Sequence, residues 1–144
     1  MKFSMRREYH LSVEPDSRLK WNRGYGYNID EDLLYVWSTL DIHFFSLQKL
    51  TIKTKINSLT KKENTLSIVY YNPHYKYTIT GMLNGDVKVW RLPTSEIYKH
   101  KEILIHNFTY HTREIEHIIP GGDQRTIITA GVDMYVCFMS IETF

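Results

Sequence analysis

The sequence predicts an all-β chain built from repeating antiparallel sheets, and three observations support this prediction. Aromatic residues make up 14% of the 144 residues, and 11 residues are tyrosines, a composition that favours strands over helices. Short alternating apolar and polar stretches are separated by turn formers, of which Asn84 followed by Gly85 is the strongest hairpin signal. The pattern of residues 80–90 also recurs over residues 129–139 without a gap, as expected for a repeat architecture.

Residues 1–27 form the least regular segment. It is polar and basic at first and then rich in turn formers, although residues 9–13 are a candidate strand. The stretch Gly24, Tyr25, Gly26, Tyr27 allows two interpretations. Aromatic residues among basic ones can stack on nucleic-acid bases, but glycine clusters more commonly mark loops, so a loop with packing tyrosines is preferred.

Residues 28–60 are predicted to form a degenerate sheet unit. Two apolar runs, 33–37 and 42–47, flank a short polar break, and residues 49–62 then alternate aliphatic side chains with lysine and threonine. Lysines protect an edge strand from unwanted pairing, so this stretch is interpreted as an outer strand followed by a linker. A basic patch for an acidic partner is the second interpretation.

Residues 61–108 are predicted to form the most regular unit. Residues 67–71 form a strand that ends before Pro73, and residues 75–80 and 87–92 form a hairpin. Asn84 and Gly85 should both adopt positive φ, as a tight primed turn demands. A polar connector over residues 93–101 then leads to an outer strand at residues 103–108.

Residues 109–144 are predicted to form the last unit. A turn around Pro120 and Asp123 precedes a hairpin of residues 126–129 and 135–139. When the two units are aligned on Thr80 and Thr129, the other marker residues of the two units also align without a gap. This alignment places Asn84 on Asp133 and Trp90 on Met139.

The repeated residues resemble the WD repeat, a unit of about 40–45 residues that forms one four-stranded blade of a β-propeller. The resemblance implies that a His, a Ser or Thr, an Asp and a Trp of each blade form a hydrogen-bonded group that fixes a turn. The residues assigned to this structural blade motif are Thr80, Asn84, Gly85, Trp90, His111, Thr129, Asp133 and Met139.

The match departs from the family pattern in identifiable places. Arg91 stands where an aspartate follows the tryptophan, and Lys61 and Lys62 replace the Gly-His pair at the start of the unit. In the degenerate unit, Tyr35 and Thr39 are assigned to the Ser/Thr and turn positions. Each unit therefore lacks a different member of the group.

Two clear units and one degenerate unit predict a partial WD-type β-propeller, because closed propellers typically have roughly 4–8 blades. Three blades would leave two open flanks with apolar residues. The expected partners are therefore other protein chains or the remaining blades of a larger propeller.

Composition and motif spacing argue against several other classes of function. The net charge of +2 and the pI of about 8.6 fall short of a typical nucleic-acid module. Cys137 is the one cysteine, and no apolar stretch has the length of a signal peptide or a membrane helix, which predicts a cytoplasmic protein. The spacing of His106, His111 and His117 matches no zinc motif. We therefore expect no enzyme activity, no metal and no cofactor.

The preferred function is a non-catalytic protein-interaction scaffold, as the family resemblance implies. The candidate contact residues at the turns and unit starts are Lys62, Asn64, Met82, Leu83, His111, Arg113 and Val132. Similarity in style to large WD proteins of the cytoskeleton and axoneme suggests a cytoskeletal or ciliary location.

The alternative function is a nucleic-acid-binding module built from tyrosine- and lysine-rich strands. Its candidate residues are Tyr25, Tyr27, Tyr70, Tyr71, Tyr75 and Tyr77 together with residues 49–62.

Overall fold

The computed structural model describes residues 23–56, 64–91 and 103–141. Within these ranges every regular element is a strand, and no segment has the helical length and hydropathy that crossing a bilayer requires. The strands are β1 (Gly24–Asn28), β2 (Leu33–Trp37), β3 (Ile42–Ser46), β4 (Thr51–Ile56), β5 (Leu66–Asn72), β6 (Tyr77–Met82), β7 (Val87–Arg91), β8 (Ile103–Phe108), β9 (Ile115–Pro120), β10 (Thr126–Gly131) and β11 (Val136–Ser140).

The strands form three antiparallel sheets in which chain neighbours are also neighbours in space. The first sheet has the order β1-β2-β3-β4, the second β5-β6-β7-β8, and the third, among the described residues, β9-β10-β11. The first strand of each sheet lies on a common inner side, because β5 packs against both β1 and β9. The three sheets therefore stack face to face as consecutive blades.

The first core lies between the first and second sheets. Phe44 and Ile42 of β3 are fully buried there and meet side chains from the facing side of the second sheet. The backbone also joins these two sheets, since the amide of Leu66 donates to the carbonyl of Thr39 at 2.7 Å. The core residues are Leu33, Tyr35, Trp37, Ile42, Phe44, Ile56, Leu66, Val69, Tyr71, Met82 and Trp90.

The second core lies between the second and third sheets. The opposite face of β6 and β7 contributes to it, so the second sheet is buried on both sides. Its buried residues are Ile79, Val87, Val89, Ile115, Ile118, Ile127, Met139 and Ile141. Alternation along β6 and β7 therefore assigns side chains to the two cores, as the pleat of a strand requires.

The stretch from Gly24 to Tyr27 is a strand, and the predicted loop over these residues is wrong. A Cβ atom on Gly24 would lie 2.4 Å from the ring of Trp37, and one on Gly26 would lie 2.2 Å from the ring of Tyr35. The glycines are needed because both rings lie directly over β1. The first sheet therefore begins at Gly24, ahead of the predicted boundary at residue 28.

The outer strands follow the prediction closely. The sequence pattern placed one over residues 103–108, which is β8, and another within residues 49–62, where β4 covers Thr51–Ile56. Residues 57–63 and 92–102, which contain Lys61, Lys62 and the predicted polar connector, lie outside the described residues, as does the candidate strand at 9–13.

Candidate functional site

The hairpin loop between β6 and β7 is one residue longer than the predicted two-residue primed turn. The amide of Met82 donates to the carbonyl of Asp86 at 2.9 Å, and the amide of Gly85 donates to that of Met82 at 3.2 Å. Gly85 has φ +97°, whereas Asn84 does not have positive φ. The primed turn is therefore corrected to a turn with one left-handed glycine, the arrangement of a three-residue hairpin loop with a G1 bulge.

The turn between β10 and β11 repeats this geometry. The amide of Met134 donates to the carbonyl of Gly131 at 3.1 Å, and the amide of Gly131 donates to that of Tyr135 at 3.3 Å. Met134 has φ 67° at the position of Gly85. A carboxylate oxygen of Asp133 accepts from the amide of Tyr135 at 3.1 Å, as Asn84 Oδ1 accepts from the amide of Asp86 at 2.9 Å.

A buried hydrogen-bonded group connects the third-sheet turn to the residues that precede β9. Nδ1 of His111 lies 3.0 and 3.1 Å from the carboxylate oxygens of Asp133, and Nε2 lies 2.9 Å from Oγ1 of Thr129. The amide of Thr112 also donates to Asp133 at 2.9 Å. In the neutral imidazole this requires that Nδ1–H donates to the carboxylate and that the Thr129 hydroxyl donates to Nε2.

The order hydroxyl, imidazole, carboxylate has the connectivity of a catalytic triad, but a substrate cannot reach it. Thr129 is fully buried, and the side chains of His111 and Asp133 are only 1% and 3% exposed. A nucleophile must approach its substrate atom at contact distance. The group therefore joins the turn to the start of the sheet, and its hydrogen-bonding capacity serves structure.

The hydrogen bonds to Asp133 lower the pKa of its carboxyl group. Burial alone would raise the pKa, but hydrogen bonds from the Thr112 amide, the His111 ring and the Tyr135 amide outweigh it and lower the pKa to about 2. Because the folded-state pKa lies below the ordinary value of 3.8, the folded state binds fewer protons than the unfolded state. The stabilisation from the ionised Asp133 is thus present above about pH 4 and is lost as the pH falls towards about 2.

Replacing Asp133 by asparagine should therefore lower the free energy of unfolding at pH 5. The difference from wild type should become progressively smaller as the pH falls towards 2. Urea unfolding followed by circular dichroism at several pH values between 5 and 2 measures the difference between the two proteins. Glu116→Gln, at an exposed position on β9, is the control for loss of a carboxylate outside the turn. A wild-type advantage that stays constant across this range would contradict the assigned hydrogen bonds.

The second sheet carries a different version of the group. Nε1 of Trp90 donates to Oγ1 of Thr80 at 2.9 Å, and Oγ1 of Thr80 lies 3.7 Å from Sδ of Met82. The amide of Asn84 lies 3.4 Å from Oδ1 of Asn64, two residues before β5. In the third sheet the buried Met139 replaces the tryptophan, so each sheet stabilises its hairpin with different partners.

In the first sheet the assignment of Tyr35 to the Ser/Thr position is wrong. Tyr35 lies opposite Phe44 and faces the first core, in the same way that Ile79 lies opposite Val89. Val36, opposite His43, takes the place that Thr80 has opposite Lys88. The first sheet has no hydroxyl at this position, because its hairpin is one residue shorter than the alignment assumed.

The turns and sheet starts lie along one edge of the three sheets, which we call the turn edge and define as residues 38–41, 64–65, 83–86, 111–114 and 132–135. Backbone hydrogen bonds join the hairpin turns of the second and third sheets to the residues that precede the first strand of the same sheet. The amide of Leu83 donates to the carbonyl of Thr65, and the amide of Val132 donates to the carbonyl of Glu114. Leu83 is 38% exposed and Arg113 is exposed, whereas Asn64 and Val132 are half-buried.

Two of the candidate contact residues are buried, which contradicts their predicted role as contact residues. Met82 is fully buried in the first core, and His111 is 5% exposed because its ring is held between Thr129 and Asp133. Their side chains are unavailable to a partner at this edge. Lys62 lies outside the described residues.

The six tyrosines proposed for nucleic-acid binding do not share one surface. Tyr25 and Tyr27 are exposed on the first sheet, while Tyr71 is 4% exposed in the first core. Tyr70, Tyr75 and Tyr77 pack against the second core.

The described lysines of residues 49–62 are partly engaged in structure. Nζ of Lys53 donates to the carbonyl of Glu31 at 3.2 Å and lies 4.0 Å from the carboxylate of Asp32. This lysine therefore braces the turn between β1 and β2, while Lys49 and Lys55 are exposed.

Stacked antiparallel sheets of three or four described strands, with inner first strands and repeated hairpin geometry, define the fold of a partial β-propeller. No protein-family model matches the chain, and no curated protein matches it. Among 78 matching chains of solved structures is one from a crystal structure of the mitotic checkpoint complex, with a TM-score of 0.65 and 14% sequence identity. The match covers 83% of this chain and 37% of that chain, so the present chain spans well under two thirds of its length. This likeness shows the fold.

Proposed function

We propose that the protein is a non-catalytic scaffold that binds a protein partner along the turn edge. The observation that carries the proposal is the division of roles at this edge in the third sheet. His111, Thr129 and Asp133 are buried and hold the backbone, while their neighbours Arg113 and Tyr135 remain exposed. Rigid loops on a fixed sheet are suited to recognition.

The exposed chemistry of the turn edge fits a protein surface. Leu83, Met134 and Tyr135 are 38%, 94% and 66% exposed, and Arg113 is also exposed at this edge. Aromatic residues, methionine and arginine are enriched in protein interfaces. Formal charges at this edge are mixed in sign, and Arg23 pairs with Glu114 at 3.4 Å, so the edge lacks the uniform positive charge that phosphates attract.

Membership of a multiprotein assembly is the finer part of the proposal. The matched chain of similar fold was solved within a complex, which supports an assembly role by analogy of fold. A cytoplasmic location, and more narrowly a cytoskeletal or ciliary one, stays a prediction from the family resemblance.

The test compares two double variants with matched charge changes. Leu83→Lys with Arg113→Glu alters the turn edge. Leu50→Lys with Lys49→Glu makes the same type of change in the β3–β4 turn at the opposite edge, where Leu50 is 42% exposed. Quantitative co-purification from cells expressing the full chain should show proteins retained by wild type and by the opposite-edge variant. The turn-edge variant should retain them at least about tenfold less.

Two results would contradict the proposal. One is a set of bound proteins that both variants retain equally. The other is binding that nuclease treatment or moderate salt abolishes, because loss at raised ionic strength is typical of phosphate contacts. Circular dichroism of both variants checks that each remains folded.

A further inference from the structure

The far face of the third sheet, which points away from the second sheet, repeats an apolar face that is buried elsewhere in the molecule. We aligned the second and third sheets on Thr80 and Thr129. In this alignment, the second-sheet residues that pack against the third sheet correspond to residues of the far face. The pairs are Ile79 with Ile128, Val87 with Val136, and Val89 with Phe138.

The two members of these pairs differ in exposure. Val87 and Val89 are each 1% exposed in the second core, whereas Val136 and Phe138 are 57% and 70% exposed. Ile128 lies opposite Phe138 on one side and opposite Ile119, which is 52% exposed, on the other. The far face is therefore an apolar sheet surface with the pattern of an inter-sheet contact.

The near face of the first sheet, which points away from the second sheet, has the complementary character. Tyr25 and Tyr27 lie opposite Val36 and Leu34, in the same way that Val69 and Tyr71 lie opposite Thr80 and Thr78. Val69 and Tyr71 are 3% and 4% exposed because the first sheet covers them. Tyr25 and Tyr27 are 69% and 63% exposed.

We propose that a second copy of this chain covers both faces. The far face of the third sheet of one copy packs on the near face of the first sheet of the other, and the reverse contact closes the ring. Such a heterologous contact forms a ring when its rotation closes. With three sheets among the described residues of each copy, two copies supply about six blades, within the typical range for closed propellers.

The occupant is argued from the contacts already inside the chain. At both inter-sheet cores, the face of one sheet that corresponds to the far face packs on the face of the next sheet that corresponds to the near face. Each copy also presents one exposed face of each kind. On β10 and β11 the far face carries Thr126, Ile128, Ala130, Val136, Phe138 and Ser140, without acids, lysines or arginines. On β10 and β11 the far face can therefore be covered by apolar burial alone, without an oppositely charged partner.

The experiment measures the mass of the full chain in solution by sedimentation equilibrium. The wild type should have twice its monomer mass of 17.2 kDa. Phe138→Asp on the far face and Tyr27→Asp on the near face should each give the monomer mass. Val136→Lys repeats the test at a second far-face position. Met134→Asp, in a turn position that is 94% exposed, should remain dimeric.

Mixing the Phe138→Asp and Tyr27→Asp proteins distinguishes a heterologous contact from a symmetric one. Each variant keeps one intact face of the opposite kind, so the mixture should form a dimer that neither protein forms alone. A monomeric wild type, an open series of larger species, or a dimer insensitive to either face would overturn the proposal. This inference rests on sheet faces and is independent of the turn edge, so a monomeric wild type would leave the scaffold proposal standing.

Discussion

Replacing Gly85 by valine is expected to lower the free energy of unfolding by more than about 4 kcal/mol, in the exceptional range for a single substitution. Gly85 has φ +97°, which a β-branched residue adopts only with strain. A Cβ atom at this position would also lie 2.5 Å from the carbonyl oxygen of His111 and 2.9 Å from that of Arg113. Both obstacles are backbone atoms, so a rotamer change cannot relieve them.

The third sheet provides the matched control for this prediction. Met134 occupies the same turn position with φ 67°, but it is 94% exposed. Met134→Gly should therefore leave the free energy of unfolding within about 1 kcal/mol of wild type, because relief of the left-handed backbone is offset by the larger entropy of glycine in the unfolded chain. Urea unfolding followed by circular dichroism measures both variants. Equal effects of the two substitutions would show that the packing around Gly85 is assigned incorrectly.

Most strands could be predicted because their signals are local. Short apolar stretches bounded by polar residues placed β2 at Leu33–Trp37 and β8 at Ile103–Phe108 with the bounds that the structure has. The repeated spacing also identified residues that the structure brings together, namely Thr80 with Trp90, and His111 with Thr129 and Asp133. A repeat with fixed spacing can therefore predict contacts between residues that are distant along the chain.

The errors arise where the deciding contact is not local. Gly24 and Gly26 resemble loop residues until the rings of Tyr35 and Trp37 are seen to lie over them. The position of Tyr35 was misjudged because hairpin length sets the register, and a slip of one residue turns a side chain to the other face. Met82 was assigned to the surface because its burial depends on the neighbouring sheet.

Replacing Trp90 by alanine is expected to cost about 3–5 kcal/mol in the free energy of unfolding, as for other large-to-small changes in a core. Trp90 is 8% exposed and packs in the first core, between the first and second sheets. Its ring also donates the 2.9 Å hydrogen bond to Thr80, whose side chain is fully buried. The substitution thus removes apolar contacts across the inter-sheet surface and one buried hydrogen bond together.

Trp90→Phe separates these two contributions, because phenylalanine keeps most of the ring volume but has no N–H group. It should cost less than the alanine variant, with about 1–3 kcal/mol from the buried Thr80 hydroxyl that loses its donor. In a Thr80→Val background that hydrogen bond is already absent, so the additional cost of Trp90→Phe should shrink if the bond is real. Urea unfolding of the four proteins, followed by circular dichroism because tryptophan fluorescence changes with the substitution, completes the cycle. A Trp90→Ala cost below about 1 kcal/mol would be incompatible with a tryptophan packed between two blades, since surface substitutions typically have effects of that small size.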